Sequence, residues 1–442
     1  MLQVSFGKER PLWAARPPLE RIALLVALLF VGITSSVRAQ SEPVELRIWA
    51  WTPGTIHGDI FARYIEEFHQ EHPDIRIVVE RGSNEGALLV AFAGGVAPDL
   101  VQGIGPWATA LGPRGILLPL DEFIDGPDGV PREAFVDDLW SFSVVDGNTY
   151  QLAVDSNERA LFVSVDAAEM AGIDPYESPR DWAGLLDWAR KMTVRAGNEV
   201  SRWGFDMHQE NGGNRWHWVW LNEGELFTPD KQRAWFDHPN TVEALQWAYD
   251  MVNTYQVSPA PGAVQGGHRG NFIAGVYAMM ITSSSFVPEL EQQGIRFVTH
   301  PGPPGPGKNG YRFSGATSST LSIVSSTQHP KEAWTFLRWL VYEKGLEFAE
   351  ERGGIPYLIE GLQSGKYRAQ PWEAFATSIL TYQPRNNYIY GVSEADWLPA
   401  FQAAWDAAIR GEGDARVMLQ QAQEAVDARL VEIAQQISQG SL

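Results

Sequence analysis

An α/β protein of two lobes is the architecture the sequence predicts, and three observations predict it. The chain has 442 residues, more than one simple hydrophobic core serves well. Residues 44–103 read strand, helix, strand, helix, strand, an order that implies a parallel sheet with right-handed crossovers. No repeat, heptad array or low-complexity tract interrupts the remainder, which carries further strand-like and helix-like stretches between turn signals.

The first 39 residues stand apart. Lys8, Arg10, Arg16 and Arg21 form a basic lead, Ile22 to Ile33 is an unbroken apolar run, and Val37-Arg38-Ala39 offers a small-residue cleavage site. This is the layout of a secretory signal peptide, with cleavage expected after Ala39. The apolar run is shorter than the roughly 20 residues a membrane span needs. Arg38 is an awkward residue beside a cleavage site, so an uncleaved N-terminal anchor stays open as the alternative. The chain has a formal charge of −20; the first 39 residues carry a net +3, which leaves −23 on the remainder. Such a balance repels phosphate backbones, and no basic stripe interrupts it, so nucleic acid is not expected as a partner. The absence of cysteine excludes disulfides, thiolate metal sites, a cysteine nucleophile and a lipid-modified cysteine anchor.

The elements follow in order. "ELRIWAW" reads as a buried strand in which Leu46, Ile48 and Ala50 share one face. Trp49 and Trp51 are expected on the other face, next to a Pro-Gly stop. Ile60, Phe61, Tyr64, Ile65 and Phe68 fall on one face of a helix that His72-Pro73-Asp74 ends. Ile75, Ile77 and Val79 alternate as a second strand. A short helix, a Gly-Gly break and a strand from about Asp99 follow. "NTYQLAVDSNERALFVS" reads as two extended segments joined through the polar patch Asp155-Ser156-Asn157-Glu158. The helix over "SPRDWAGLLDWARKMT" is expected to be capped by Ser178, with Pro179 at its first position. Trp216, Trp218 and Trp220 lie on a further helix, spaced by two, so they cannot all face one way. Helical patterns cover about 238–255, 330–351 and the last 45 residues. "VYAMMI" is strand-like, and "PGPPGPGKNG" at 301–310 is the strongest loop signal in the chain.

Chemistry-bearing motifs argue for binding over catalysis. Nine histidines include no HExxH or other metal spacing, and neither a GxSxG elbow nor a P-loop occurs. No cofactor or metal is therefore expected, and no enzyme. The 18 tryptophans suit a protein that presents aromatic faces to a ligand. Trp49 and Trp51 end the first strand, and ligands of open α/β sheets sit beyond the carboxyl ends of strands. An aromatic ring covers the apolar C–H face of a pyranose while nearby polar groups bond its hydroxyl rim.

Nine stretches in order carry a resemblance: "LRIWAW", "FHQEHPDIRIVVE", "LLVAFAGGVAPDLVQ", "GILLPLDEFI", "GNTYQLAVDSNERALFVS", "AGIDPYESPRDWAGLLDWARKMT", "FIAGVYAMMI", "HPKEAWTFLRWLV" and "GGIPY". Together they resemble the extracellular solute-binding proteins of ABC transporters, in the branch of maltose- and oligosaccharide-binding proteins. The resemblance implies the type II periplasmic-binding-protein fold: two α/β lobes, joined by three crossings, closing on a ligand in the cleft. The crossings are expected near Val154–Asn157, Phe313–Thr320 and Gly354–Gly361. That gives lobe I as 44–154 plus 318–357 and lobe II as 155–313 plus 360–442.

It further implies an exported, monomeric protein that captures a sugar or oligosaccharide and delivers it to membrane permease subunits served by a cytoplasmic ATPase. A polyamine or other cationic solute, suggested by the acidic charge, and a secreted glycoside hydrolase are the alternatives. Asp155 stands where the family often places a carboxylate for sugar hydroxyls, and Asn157 adds a donor and an acceptor beside it. Ser284 and Phe286 match a segment that often carries a ligand tryptophan, absent here. Ser314 and Gly315 resemble the glycine-rich second crossing. Trp107, Trp220, Arg352 and Trp397, with Tyr388 and Tyr390, fall in segments that can border the cleft.

Overall fold

A computed structural model of the chain describes residues 42–51, 54–81, 84–197, 199–207, 213–313, 319–381, 383–385 and 389–439. Two compact units divide the chain, Met1–Pro43 and Val44–Leu442, and every described strand and helix belongs to the second. The expected signal peptide and cleavage site, with Ser314, Gly315 and Tyr388, lie outside the described residues.

The strands run β1 (Val44–Ala50), β2 (Ile75–Arg81), β3 (Leu100–Ile104), the short hairpin β4 (Val144–Val145) and β5 (Asn148–Thr149), then β6 (Leu152–Asp155) and β7 (Arg159–Ser164). A second hairpin, β8 (Val194–Ala196) and β9 (Glu199–Arg202), precedes β10 (Met279–Ser283), β11 (Phe297–His300), β12 (Tyr311–Phe313), β13 (Ser319–Ile323) and β14 (Gln383–Arg385). One sheet has the order β2-β1-β3-β13-β6; the other is β10-β7-β11. Strands β1, β2 and β3 pair in parallel, as the helices Ile56–Glu71 and Glu85–Ala93 between them require. Strand β13 returns antiparallel beside β3 and β6.

Both sheets are covered on both faces, the condition under which strands read as near-continuous apolar runs. Leu46, Ile48, Leu321 and Ile323 enter one core with the helices Ile56–Glu71 and Pro330–Arg338; Val101 enters another with Leu88 and Trp107. On β7 the alternation is equally plain. Leu161 and Val163 face a tryptophan-rich core, while Ala160 and Phe162 face the core of Phe286, Tyr367 and Phe375. The two sheets mark two lobes. The chain leaves the first through Asp155 and enters the second at Arg159.

Two local expectations are corrected. The helix Trp182–Met192 is capped by Asp181, whose carboxylate accepts from the Gly184 amide at 2.9 Å, and not by Ser178; Pro179 therefore precedes the helix. Trp49 and Trp51 do not share a face. Trp49 packs on the Leu88–Val101 core, whereas Trp51 packs on the side of Leu46 and Ile48. Strand alternation holds only while the chain is a strand, and β1 ends at Ala50.

Candidate functional site

The carboxyl edge of the first sheet collects the chemistry. Ser319 at the start of β13 stands opposite Ile104 at the end of β3 and opposite Asp155 at the end of β6. Trp51 follows the end of β1, and Trp107 follows the end of β3.

Three segments distant in the chain meet here at one buried point. Arg352 Nε lies 3.2 Å from Asp155 Oδ2, with the side chains only 3% and 2% exposed. The Ser319 amide donates to Asp155 Oδ1 at 3.4 Å, and Arg352 Nη2 donates to Ser319 Oγ at 3.2 Å. Ser156 and Ile355 exchange two backbone hydrogen bonds of 2.8 Å. Gly354 is fitted against the carboxylate so closely that a Cβ there would stand 2.5 Å from Asp155 Cβ, so only glycine fits without displacement. The Arg352 guanidinium lies 3.8 Å from the Trp51 ring centroid, and the Trp51 ring meets Phe61 edge-on at 5.2 Å. Burial lowers the Arg352 pKa and the Asp155 charge opposes that shift.

A groove of about 810 Å³ opens along the same edge, within the size range of small-molecule sites. Asn84, Glu85, Gln102, Gly103, Trp107 and Arg114 line one side; Ser393, Glu394, Asp396 and Arg429 line the other. The Trp107 ring lies over Gly103, where a Cβ would come within 2.5 Å of Trp107 Cε3. Ser393 Oγ donates to Glu85 Oε2 at 2.8 Å, and Arg429 Nε donates to Asp396 Oδ1 at 2.9 Å. Burial, reinforced by the Glu85 charge, raises the Glu394 pKa to about 7. The wall is thus the exposed edge of a largely buried tryptophan, 6% exposed, among carboxylates, amides and arginines whose hydrogen-bonding groups suit a polyhydroxylated ligand.

The remaining sequence candidates separate. Trp49 donates its indole N–H to Glu80 Oε2 at 2.8 Å, and Glu80 is itself clamped by Arg47. Trp220, Phe286 and Trp397 are fully buried in the second lobe's cores, and Trp216 and Trp218 are buried with them. The helix Gly213–Leu221 is enclosed by that core. Asn157 is half-buried at the first crossing. Ser284 is buried, with its amide bonded to the Glu158 carbonyl at 2.9 Å. Tyr390 is exposed.

Sequence reasoning missed His57, Arg159, Arg269 and Ser319. Arg159 could have been suspected, because "NERALFVS" places a charged residue at the head of a buried strand directly after a crossing. His57 belongs to the first turn of the helix Ile56–Glu71, where desolvation and the charges of Arg352 and Arg269 lower its pKa. Arg269 Nη2 donates to Ser283 Oγ and Ser285 Oγ, each at 3.0 Å.

A two-lobe α/β scaffold whose crossings converge beside an aromatic groove defines a hinged binding protein of the kind that closes on a solute. The chain belongs to the family of bacterial extracellular solute-binding proteins, whose profile it matches over residues 52–346. A putative binding protein of Brucella abortus is 23% identical over 81% of this chain and 86% of its own length. A maltotriose-binding protein of Pyrococcus abyssi is 22% identical over 71% of this chain and 66% of its own. Among solved structures, an ABC substrate-binding protein from Listeria monocytogenes in complex with cycloalternan superposes with a TM-score of 0.77. It is 17% identical and covers 88% of this chain and all (100%) of its own. The sugar-binding protein MalE of Xanthomonas citri gives a TM-score of 0.75 at 19% identity, over 90% of this chain and 100% of its own.

Proposed function

We propose that this protein is the substrate-binding component of an ABC importer, capturing a sugar or oligosaccharide between its lobes and delivering it to a membrane permease. The observation that carries the reading is the groove at the sheet's carboxyl edge, where the Trp107 ring is ringed by Gln102, Asn84, Glu85, Glu394 and Arg429. Only 6% of that residue is exposed, so charged hydrogen bonds to the hydroxyl rim carry most of the roughly −8 kcal/mol that micromolar binding needs. The names of several relatives point the same way, among them the maltotriose-binding protein and an arabinooligosaccharide-binding protein of Bacillus subtilis.

The mechanism follows from the crossings. We propose lobe I as 44–154 plus 318–357 and lobe II as 155–313 plus 360–442, pivoting about the Asp155–Arg352–Ser319 knot. A closed form contacts the ligand from both sides and an open form from one, so that difference in affinity drives closure. In this reading Trp51, Asp155 and Arg352 hold the hinge, Trp107 meets the ligand, and Trp49, Trp220, Phe286 and Trp397 support the lobes. Membership of an extracellular family supports export, with residues 1–39 as the leader and monomeric action in the periplasm or at the outer membrane face. The cationic-solute alternative runs against Arg159, Arg269 and Arg352 near the crossings.

A thermal-shift screen of sugars and polyamines, followed by calorimetric titration, tests the proposal. A native-state ligand at 100 times its Kd adds about 2.7 kcal/mol of apparent stability. Stabilisation by polyamines alone, or steady release of reducing sugar from a bound oligosaccharide, would replace this reading.

A further inference from the structure

Arg159 is a buried cation with an unsatisfied donor, its Nε. It opens β7, directly opposite Ser283 at the end of β10, so it stands at the rim of the second sheet that adjoins the first crossing. Its side chain shares a face with Leu161 and Val163, toward the core that holds the helix Gly213–Leu221. The residue is 7% exposed, its Nε has no hydrogen-bond partner, and no carboxylate among the described residues forms an ion pair with it. The neighbouring Glu158 attracts it but accepts from Ser156 Oγ at 3.1 Å.

The surroundings deepen the deficit. Arg269 and Arg159 repel one another, and burial holds the Arg159 pKa down to about 10, so it stays charged at neutral pH. His217 lies within the field of Arg159, is 5% exposed, and has neither ring nitrogen hydrogen-bonded. Ser284 Oγ, one residue past the Ser283 that pairs with Arg159, is likewise buried without a partner. A buried, uncompensated charge with unsatisfied donors around it is costly to fold around. A planar guanidinium is also the group that matches carboxylate and phosphate oxygens two at a time.

We propose that this cluster is an anion subsite, with Arg159 as its central donor, and that the solute carries a negatively charged group: a uronate carboxylate or a phosphate ester on the sugar. This deepens the sugar-binding reading and rests on it. The bound anion would lie against Arg159, with Arg269 adding long-range attraction and Ser284 and His217 offering further hydrogen bonds.

The test is calorimetric titration of the full-length mature protein with oligosaccharides matched in skeleton. One set ends in a neutral sugar, one in a uronic acid and one in a 6-phosphorylated sugar. The wild type should prefer one acidic set over its neutral counterpart by roughly 10- to 100-fold, the range of a charged hydrogen bond. Whichever acidic set wins names the anion. Arg159→Gln should abolish that preference while leaving neutral-sugar affinity and the unliganded melting temperature unchanged or higher. Equal wild-type affinity for neutral and acidic sets overturns the subsite and leaves the sugar-binding reading intact. Binding of no sugar in any set overturns both. An acidic preference that survives in Arg159→Gln overturns the assignment to Arg159. A variant that fails to fold makes Arg159 a structural partner of Glu158 and overturns its assignment as the subsite's donor.

Discussion

Asp155 at the end of β6 and Arg352 form an ion pair at 3.2 Å, and Ser319 at the start of β13 joins both partners. The family resemblance implied Asp155 as an acceptor for ligand hydroxyls. Its burial against a buried arginine gives it a different first duty, which is to hold the crossings in register.

Removing one partner should therefore destabilise the protein outright. Asp155→Ala or Arg352→Met leaves an uncompensated buried charge, at a cost of about 3–5 kcal/mol. The double variant Asp155→Ala/Arg352→Met should recover much of that loss, because no buried charge is then left unpaired. Urea unfolding of the four proteins measures this. A near-zero coupling between the two sites would mean that the pair is incidental.

The Gly354 approach gives an independent probe of the same knot. An alanine methyl must displace Asp155, whose Cβ would otherwise stand 2.5 Å away. Gly354→Ala should cost about 1–3 kcal/mol by overpacking. It should also widen the distribution of lobe orientations without ligand, read as a larger radius in small-angle scattering. An unchanged melting temperature would mean that the crossing yields easily.

The two tryptophans of the first strand should part company. Trp51→Ala loses the cation–π contact with Arg352, about 0.5–2 kcal/mol, and its edge contact with Phe61. Trp49→Phe loses the charged hydrogen bond to Glu80, about 1.5–3 kcal/mol, with part of the ring's packing on the Leu88–Val101 core, and should leave ligand affinity untouched. If calorimetry found Trp49→Phe deficient in binding at normal stability, the placing of Trp49 as lobe support would fall.

That contrast also marks what the sequence could convey. The strand–helix–strand order of 44–103 was legible because periodicity is local, whereas Asp155 was placed at a crossing by the family resemblance and not by the residues themselves. The facing of Trp51 was not legible, since it depends on where β1 stops pairing with β2 and β3. Nor was the Asp155–Arg352–Ser319 convergence, which joins positions distant in the chain through sheet register. Trp220 and Trp397 looked like ligand rings because aromatic residues serve cores and clefts alike. Only the packing of one lobe's core tells which.

The Glu394 carboxyl predicts a pH dependence with a definite sign. Its folded pKa, about 7, lies above the 4.5 of an unperturbed Glu, so the folded state binds more protons between those values. Stability should fall as pH rises through that window and level off above it. Glu85, also raised, acts in the same direction. His57, His69, His217, His238 and His300, whose pKa values burial lowers, act in the opposite direction below about pH 6.5, so the Glu394 share is the stability difference between the wild type and Glu394→Gln, which should fall from pH 4.5 to 8. Parallel profiles in the two proteins would assign the effect to other groups.

Trp107 is where groove and ligand should meet, and Gly103 controls it. The added methyl of Gly103→Ala falls 2.5 Å from Trp107 Cε3, so the ring must swing away from its place over β3. Overpacking should cost about 1–3 kcal/mol of stability. A displaced stacking face should weaken sugar binding by about 1–3 kcal/mol, the scale of a lost apolar pocket contact. The two losses have different readouts: urea unfolding reports the first, and titration well below the melting temperature reports affinity per folded molecule. Trp107→Phe provides the converse, since it keeps an aromatic face and relieves the crowding at Gly103. The double variant Gly103→Ala/Trp107→Phe should then bind more tightly than Gly103→Ala alone. If Gly103→Ala lost stability but bound sugar as the wild type does, Trp107 would be a buried strut of the first lobe, and the ligand face would have to be sought elsewhere along the groove.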